Sequence, residues 1–152
     1  MRVALVVSTY HDFVTSRLEA GARSALREAG LADADIVTVA VPGAYELAQA
    51  ASRLAMTDDW HGIVCLGCLI RGETPHFDFI AQAAAHGILR VAQDTGVPVG
   101  FGVLTTHTAE EALARAGDGP GNKGREAARA VFEMASLYAR LDRDASSARR
   151  HE

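Results

Sequence analysis

"GIVCLGCLIRGETPHFDFIAQAAAHG", residues 62–87, decides how the rest of the chain is read. The run 62–70 is continuously apolar or small, which predicts a short strand buried on both faces. A polar turn, Arg71 to Pro75, then interrupts. "FDFIAQAAAHGILRVAQDTG", residues 77–96, has the length and composition of a helix closed by Gly96. Cys65 and Cys68 fall inside the strand and point to opposite faces if it is regular, which makes them poor partners for one metal. Two small buried residues fit better, and with no disulfide framework a reducing cytosol is the expected compartment.

Working outward, the same alternation repeats. "RVALVVS" (2–8), "ADIVTVAV" (34–41) and "PVGFGVLT" (98–105) predict strands. "HDFVTSRLEAGARSALREAG" (11–30) places Phe13, Val14, Leu18, Ala22 and Leu26 near a 3.6-residue period and ends at Gly30. "YELAQAASRLAMTD" (45–58), "AEEALARAG" (109–117) and "GREAARAVFEMASLYARLDRD" (124–144) predict three further helices. Strands alternating with helices imply parallel neighbours, because a crossover helix must carry the chain back. The expected fold class is therefore α/β, a three-layer α/β/α sandwich around a four-stranded parallel sheet. One domain, 1–142, accounts for nearly all of the 152 residues, with a loose polar tail expected over 143–152.

Composition narrows the function classes. The chain is 49% apolar with a formal net charge of −4, which fits a soluble globular protein and points to neither nucleic acid nor membrane as partner. No apolar stretch is long enough to cross a bilayer, and no signal-like block is evident. No internal repeat is visible.

In an open parallel sheet, ligands sit beyond the carboxyl ends of the strands. Four stretches fall at that edge: "STYHDF", "VPGAYE", "IRGETPHF" and "LTTHT". His76 opens the third helix, where an imidazole can exchange protons near neutral pH or simply bond local backbone. Thr74 and nearby N–H groups can cap that helix or hold an anion, and Glu73 is either part of that site or simply a first-turn carboxylate that suits the helix dipole. Gly43 permits a tight turn ahead of Ala44, Tyr45 and Glu46; the last two can grip a ring and a polyol, or pack and cap. Tyr10 is a stacking face or a core aromatic. In "RAGDGPGNKG", Arg115 and Lys123 bracket a glycine-rich loop, a pair of cations around flexible backbone that suits phosphate. It does not match a P-loop, since Gly124 follows the lysine, and no G-x-G-x-x-G opens the first helix.

Four blocks, "VPGAYEL", "GCLIRGETPHFDFIAQAAAHGI", "FGVLTTHTAEEALARAG" and "GNKGREAARAVFEMASL", resemble those of lumazine synthase in order and spacing, a likeness running from about residue 3 to about residue 138. The resemblance implies a flavodoxin-like topology. It also implies condensation of 5-amino-6-ribitylaminouracil with 3,4-dihydroxy-2-butanone 4-phosphate to 6,7-dimethyl-8-ribityllumazine, without metal or organic cofactor. By resemblance Tyr10 stacks on the pyrimidine ring. Gly43 to Glu46, Leu69 and Ile70 bind ring and ribityl chain. Gly72, Glu73 and Thr74 hold the phosphate, and His76 shuttles protons. Phe101, Arg115 and Lys123 match positions supplied by a neighbouring subunit, with Arg115 toward phosphate and Lys123 toward the ribityl side. The implied partners are the two small-molecule substrates, further copies of the chain and, as a candidate, riboflavin synthase. The alternative is a paralogue on the same scaffold that binds a flavin-like ring without turnover.

Departures from the family pattern are specific. Tyr10-His11 stands where Phe followed by Asn is common, adding a second titratable group. Ala48 replaces a frequent proline and Glu111 a frequent glutamine. The first strand begins almost at Met1, so the extra N-terminal strand of many relatives is expected to be missing. The family's basic ring is a pentamer, and other members form decamers or pack twelve pentamers into a 60-subunit shell. The short connection "RAGDGPGNKG" favours the shell, while Pro120 and the missing strand weigh against it.

Overall fold

The computed structural model describes residues 1–150. The element order is β1 (Val3–Ser8), α1 (Asp12–Glu28), β2 (Ile36–Val41), α2 (Ala44–Ala55), β3 (Gly62–Ile70), α3 (His76–Thr95), β4 (Val99–Thr106), α4 (Ala109–Ala114) and α5 (Lys123–Ala148). One element was not foreseen: a single 3₁₀ turn, Asp33–Asp35, which delays β2 until Ile36. The strands pair in the order β2-β1-β3-β4, all parallel, with Val3 opposite both Ile36 and Gly62 and Cys65 opposite Phe101. This is the expected three-layer flavodoxin-like arrangement.

Strand side chains alternate between two separate cores, as a pleated sheet requires. Val3, Leu5, Val7, Val64 and Leu66 pack with Leu18, Leu26 and Val131 under α1 and α5. Ala4, Val6, Ile63 and Val103 pack with Leu47, Ile88 and Val91 under α2 and α3. The two cysteines are divided accordingly: Cys65 belongs to the second core and Cys68 to the first, both as free thiols. Burial pushes the Cys65 thiol up to about 12, so it stays protonated and unreactive.

Helix α5 lies close against α1 because Gly124 sets almost no side chain between them. A β-carbon there would meet the Leu18 carbonyl oxygen. Beyond Ala135 no α5 residue is buried, yet the helix continues to Ala148. The part of the polar tail from 143 to 148 is thus helical, and residues 151 and 152 lie outside the described residues. Among the described residues no helix is long and apolar enough to cross a membrane.

Candidate active site

In the order β2-β1-β3, the connections on either side of β1 run to opposite faces, so the strand ends part and leave a crevice. The segment after β1 is stitched to the segment after β2: the Thr9 N–H donates to Val41 O at 2.8 Å and the Tyr10 N–H to Pro42 O at 3.1 Å. This turns the Tyr10 ring outward, 68% exposed. His11 follows in the left-handed region as the N-cap of α1, and its carbonyl accepts the N–H groups of Val14 and Thr15. The His11 ring stands 4.5 Å from that of Tyr10, edge to face. Its pKa is lowered by burial, which disfavours the imidazolium.

The second wall is the start of α2. Gly43 is its N-cap in extended conformation, with no side-chain cap, so N–H groups of the first turn remain as donors beside Tyr45 and Glu46. The third wall is the β3–α3 turn, which has a distinct fastening. The Arg71 N–H donates to Thr106 O at 2.8 Å, while its guanidinium lies 4.6 Å over the Phe77 ring and pairs with Asp78 at 3.0 Å. Arg71 therefore bridges the exposed residues Gly72 to Pro75 and ties both ends of the turn to the body of the protein. His76 begins α3 at the mouth, exposed to solvent.

These walls enclose a cleft of about 840 Å³, ample for a drug-sized ligand. Of the residues expected in the site, Tyr10, Gly43, Ala44, Tyr45, Glu46, Leu69, Ile70, Gly72, Thr74 and His76 all line it. Glu73, although flanked by two lining residues, does not. Phe101, Arg115 and Lys123 do not line it either. Phe101 projects from the edge strand β4, 48% exposed. Arg115 closes α4, and Lys123 opens α5 with its N–H bonded to Arg115 O at 2.9 Å, in the layer across the sheet from α2 and α3. The lining also includes His11, Pro42, Cys68, Phe77, Phe79 and Ile80, which sequence reasoning did not assign. The aromatic positions of early α3 were legible only as a helical face.

Asn122 was also passed over. It is 3% exposed, caps α5 by accepting the Arg125 N–H at 3.0 Å, and donates to Arg17 O and Gly117 O at 3.1 and 2.9 Å. It thereby pins the loop between Arg115 and Lys123 to α1. An asparagine directly before a helical run is a recognisable N-cap signal.

The profile of the 6,7-dimethyl-8-ribityllumazine synthase family matches residues 1–139. Similar curated proteins carry that name in Chlorobium phaeobacteroides, 47% identical over 90% of this chain and 88% of the relative, and in Salinibacter ruber, 49% identical over 93% and 90%. A third, from Nitratidesulfovibrio vulgaris, is 44% identical over 93% and 90%. The chain belongs to the 6,7-dimethyl-8-ribityllumazine synthase family. That membership sets the cleft within an enzyme family of riboflavin biosynthesis, a family of transferases. Among the described residues no three potential metal-ligating side chains gather in one place.

Proposed function

We propose that this chain condenses 5-amino-6-ribitylaminouracil with 3,4-dihydroxy-2-butanone 4-phosphate, releasing phosphate and water and forming 6,7-dimethyl-8-ribityllumazine. The observation that carries the reading is the convergence of residues from three separate connections, Tyr10, Glu46 and His76, on one cleft. Tyr10 supplies a flat wall for the pyrimidine ring. The α2 N-terminus and Glu46 take the ribityl hydroxyls. The Gly72 and Thr74 backbone at the start of α3 takes the phosphate, with the helix dipole favouring the anion.

The reaction asks for little more. The 5-amino group attacks the ketone and water departs to leave an imine. Loss of a proton and of phosphate follows, and the ring closes with loss of a second water. Each step moves a proton or stabilises the departing phosphate, so one imidazole at the mouth and a nearby cation suffice. Holding two reactants in register is worth up to about 7–11 kcal/mol in well-oriented systems.

The cation comes from a neighbour in this reading. Phe101, Arg115 and Lys123 are surface residues outside their own chain's cleft, and we assign them to the cleft of the next subunit, Arg115 to phosphate and Lys123 to the ribityl side. Support for a homo-oligomer comes from the uncovered apolar side chains Phe79 and Leu89 on α3 and from Phe101 on the open edge of β4. A pentamer is the assembly we favour, in the cytoplasm, with two free buried thiols in keeping with a reducing compartment. Mixing the two substrates with the protein and following the lumazine absorbance tests the activity. Binding of riboflavin with no lumazine formed would identify a non-catalytic paralogue instead.

A further inference from the structure

Position 11 is not explained by local structure. His11 is the one non-glycine residue among those described with a positive φ, 57° with ψ 47°. A β-carbon is strained there: glycine is the ordinary occupant, and asparagine, aspartate and histidine are the side-chain-bearing residues found there most often. The same residue is the N-cap of α1, where Asn, Asp or Ser bonds free N–H groups of the first turn, yet the imidazole makes no such bond. Histidine is thus tolerated by the backbone but leaves the helix without a side-chain cap.

What its ring does is stand between two others. It lies 4.5 Å from Tyr10 at an interplanar angle of 61° and 5.8 Å from Phe13 at 88°, both edge-to-face contacts of the favoured kind. Tyr10 is anchored through its backbone N–H to Pro42, but its ring is largely exposed. The imidazole is the aromatic neighbour packed against that ring. Both residues line the cleft.

We propose that His11 is a positioning residue for the planar reactant: wedged between Phe13 and Tyr10, it holds the Tyr10 ring at a fixed tilt and so presets the stacking wall. This inference rests on the ring slot proposed above. A preset wall saves the ordering that a swinging phenol would need on binding, so the effect falls on affinity for the ring and not on the phosphate reactant. The backbone strain accords with this, since left-handed non-glycine residues persist where surrounding structure and function hold them.

The test uses His11→Asn, which suits the left-handed backbone and can cap α1 but removes the ring. The probe is an analogue of the ribitylaminouracil with a nitro group in place of the reacting amine, titrated into the assembled protein. Wild type should bind it, and His11→Asn should bind it about threefold to tenfold more weakly, the range of a lost aromatic pair, with no loss of melting temperature. In turnover, the KM for the ring reactant should rise while that for the butanone phosphate does not. In a Tyr10→Ala background the His11→Asn change should cost nothing further, because its effect acts through the tyrosine. Equal binding by wild type and His11→Asn, additive losses in the double variant, or a parallel rise in both KM values overturns the positioning role alone. Failure of wild type to bind the analogue overturns the ring slot as well.

Discussion

Replacing Asn122 with alanine should loosen the junction that carries the proposed cationic residues. The side chain makes three hydrogen bonds from a site only 3% exposed: it accepts from the Arg125 N–H and donates to Arg17 O and Gly117 O. Each such bond is worth about 0.5–1.5 kcal/mol net, and more where the abandoned partner stays buried. The abandoned groups sit near a surface loop where water can reach some of them, so the loss should total about 2–3 kcal/mol. With a urea m-value of about 1–3 kcal/mol/M, that moves the unfolding midpoint down by roughly 0.7–3 M at fixed protein concentration. Asn122→Asp keeps the acceptor for Arg125 but turns a carboxylate toward two carbonyl oxygens, and should be no better than alanine. Because the same residue pins the loop from Arg115 to Lys123, the KM for the butanone phosphate should rise in both variants. A midpoint for Asn122→Ala within about 0.3 M of wild type, with m unchanged, would refute the reasoning.

Three further outcomes follow from the cleft and its supports. His76→Ala should slow single-turnover product formation by roughly 10–10⁴-fold, the usual span for lost acid–base transfer, while particle size by sedimentation stays the same. Arg115→Ala should raise the KM for the butanone phosphate by about tenfold or more through loss of a charge-assisted bond, and Tyr10→Ala should instead raise that for the ribitylaminouracil; a parallel rise in both would contradict the assignment. The Glu28 carboxyl is held below its ordinary value by the hydrogen bond from Arg125 at 2.7 Å, helped by the charges of Arg125 and Arg129. A carboxylate with a lowered folded-state pKa stabilises the fold fully above its unfolded value of 4.5 and loses that contribution as pH falls through the lowered one. The difference in melting temperature between wild type and Glu28→Gln should therefore vanish on acidification past that range.

The layers were legible because burial on both faces writes itself as continuous apolar strands, as in 62–70, and because helical stretches lie between them, the first with a one-sided apolar period. The opposite facing of Cys65 and Cys68 followed from strand pleat alone and agrees with the two cores. The 3₁₀ turn before β2 and the last helical stretch, 145–148, were not legible. A three-residue turn has no period to detect, and exposed helical residues carry no apolar stripe. At the site, the strand-end rule located the cleft and most of its lining. It could not find the Arg71 bridge to Phe77 and Asp78, because charged and aromatic residues spaced six and seven apart across a turn have no signature before the turn is folded. His11 stood out in sequence only as a departure from a pattern; its left-handed backbone and its place between two rings emerged in three dimensions.

The central claim is that each working cleft is completed by a neighbouring subunit, and subunit complementation tests it most directly. Arg115→Ala and His76→Ala chains, each of low activity alone, are unfolded together, refolded at equal amounts and assayed for lumazine formation. If one chain supplies the imidazole and the next supplies the guanidinium, random mixing should restore about a quarter of the sites, well above the sum of the two separate variants. Activity no greater than that sum, in particles shown to contain both chains, would mean that both residues act within one chain or that one of them does not act at all.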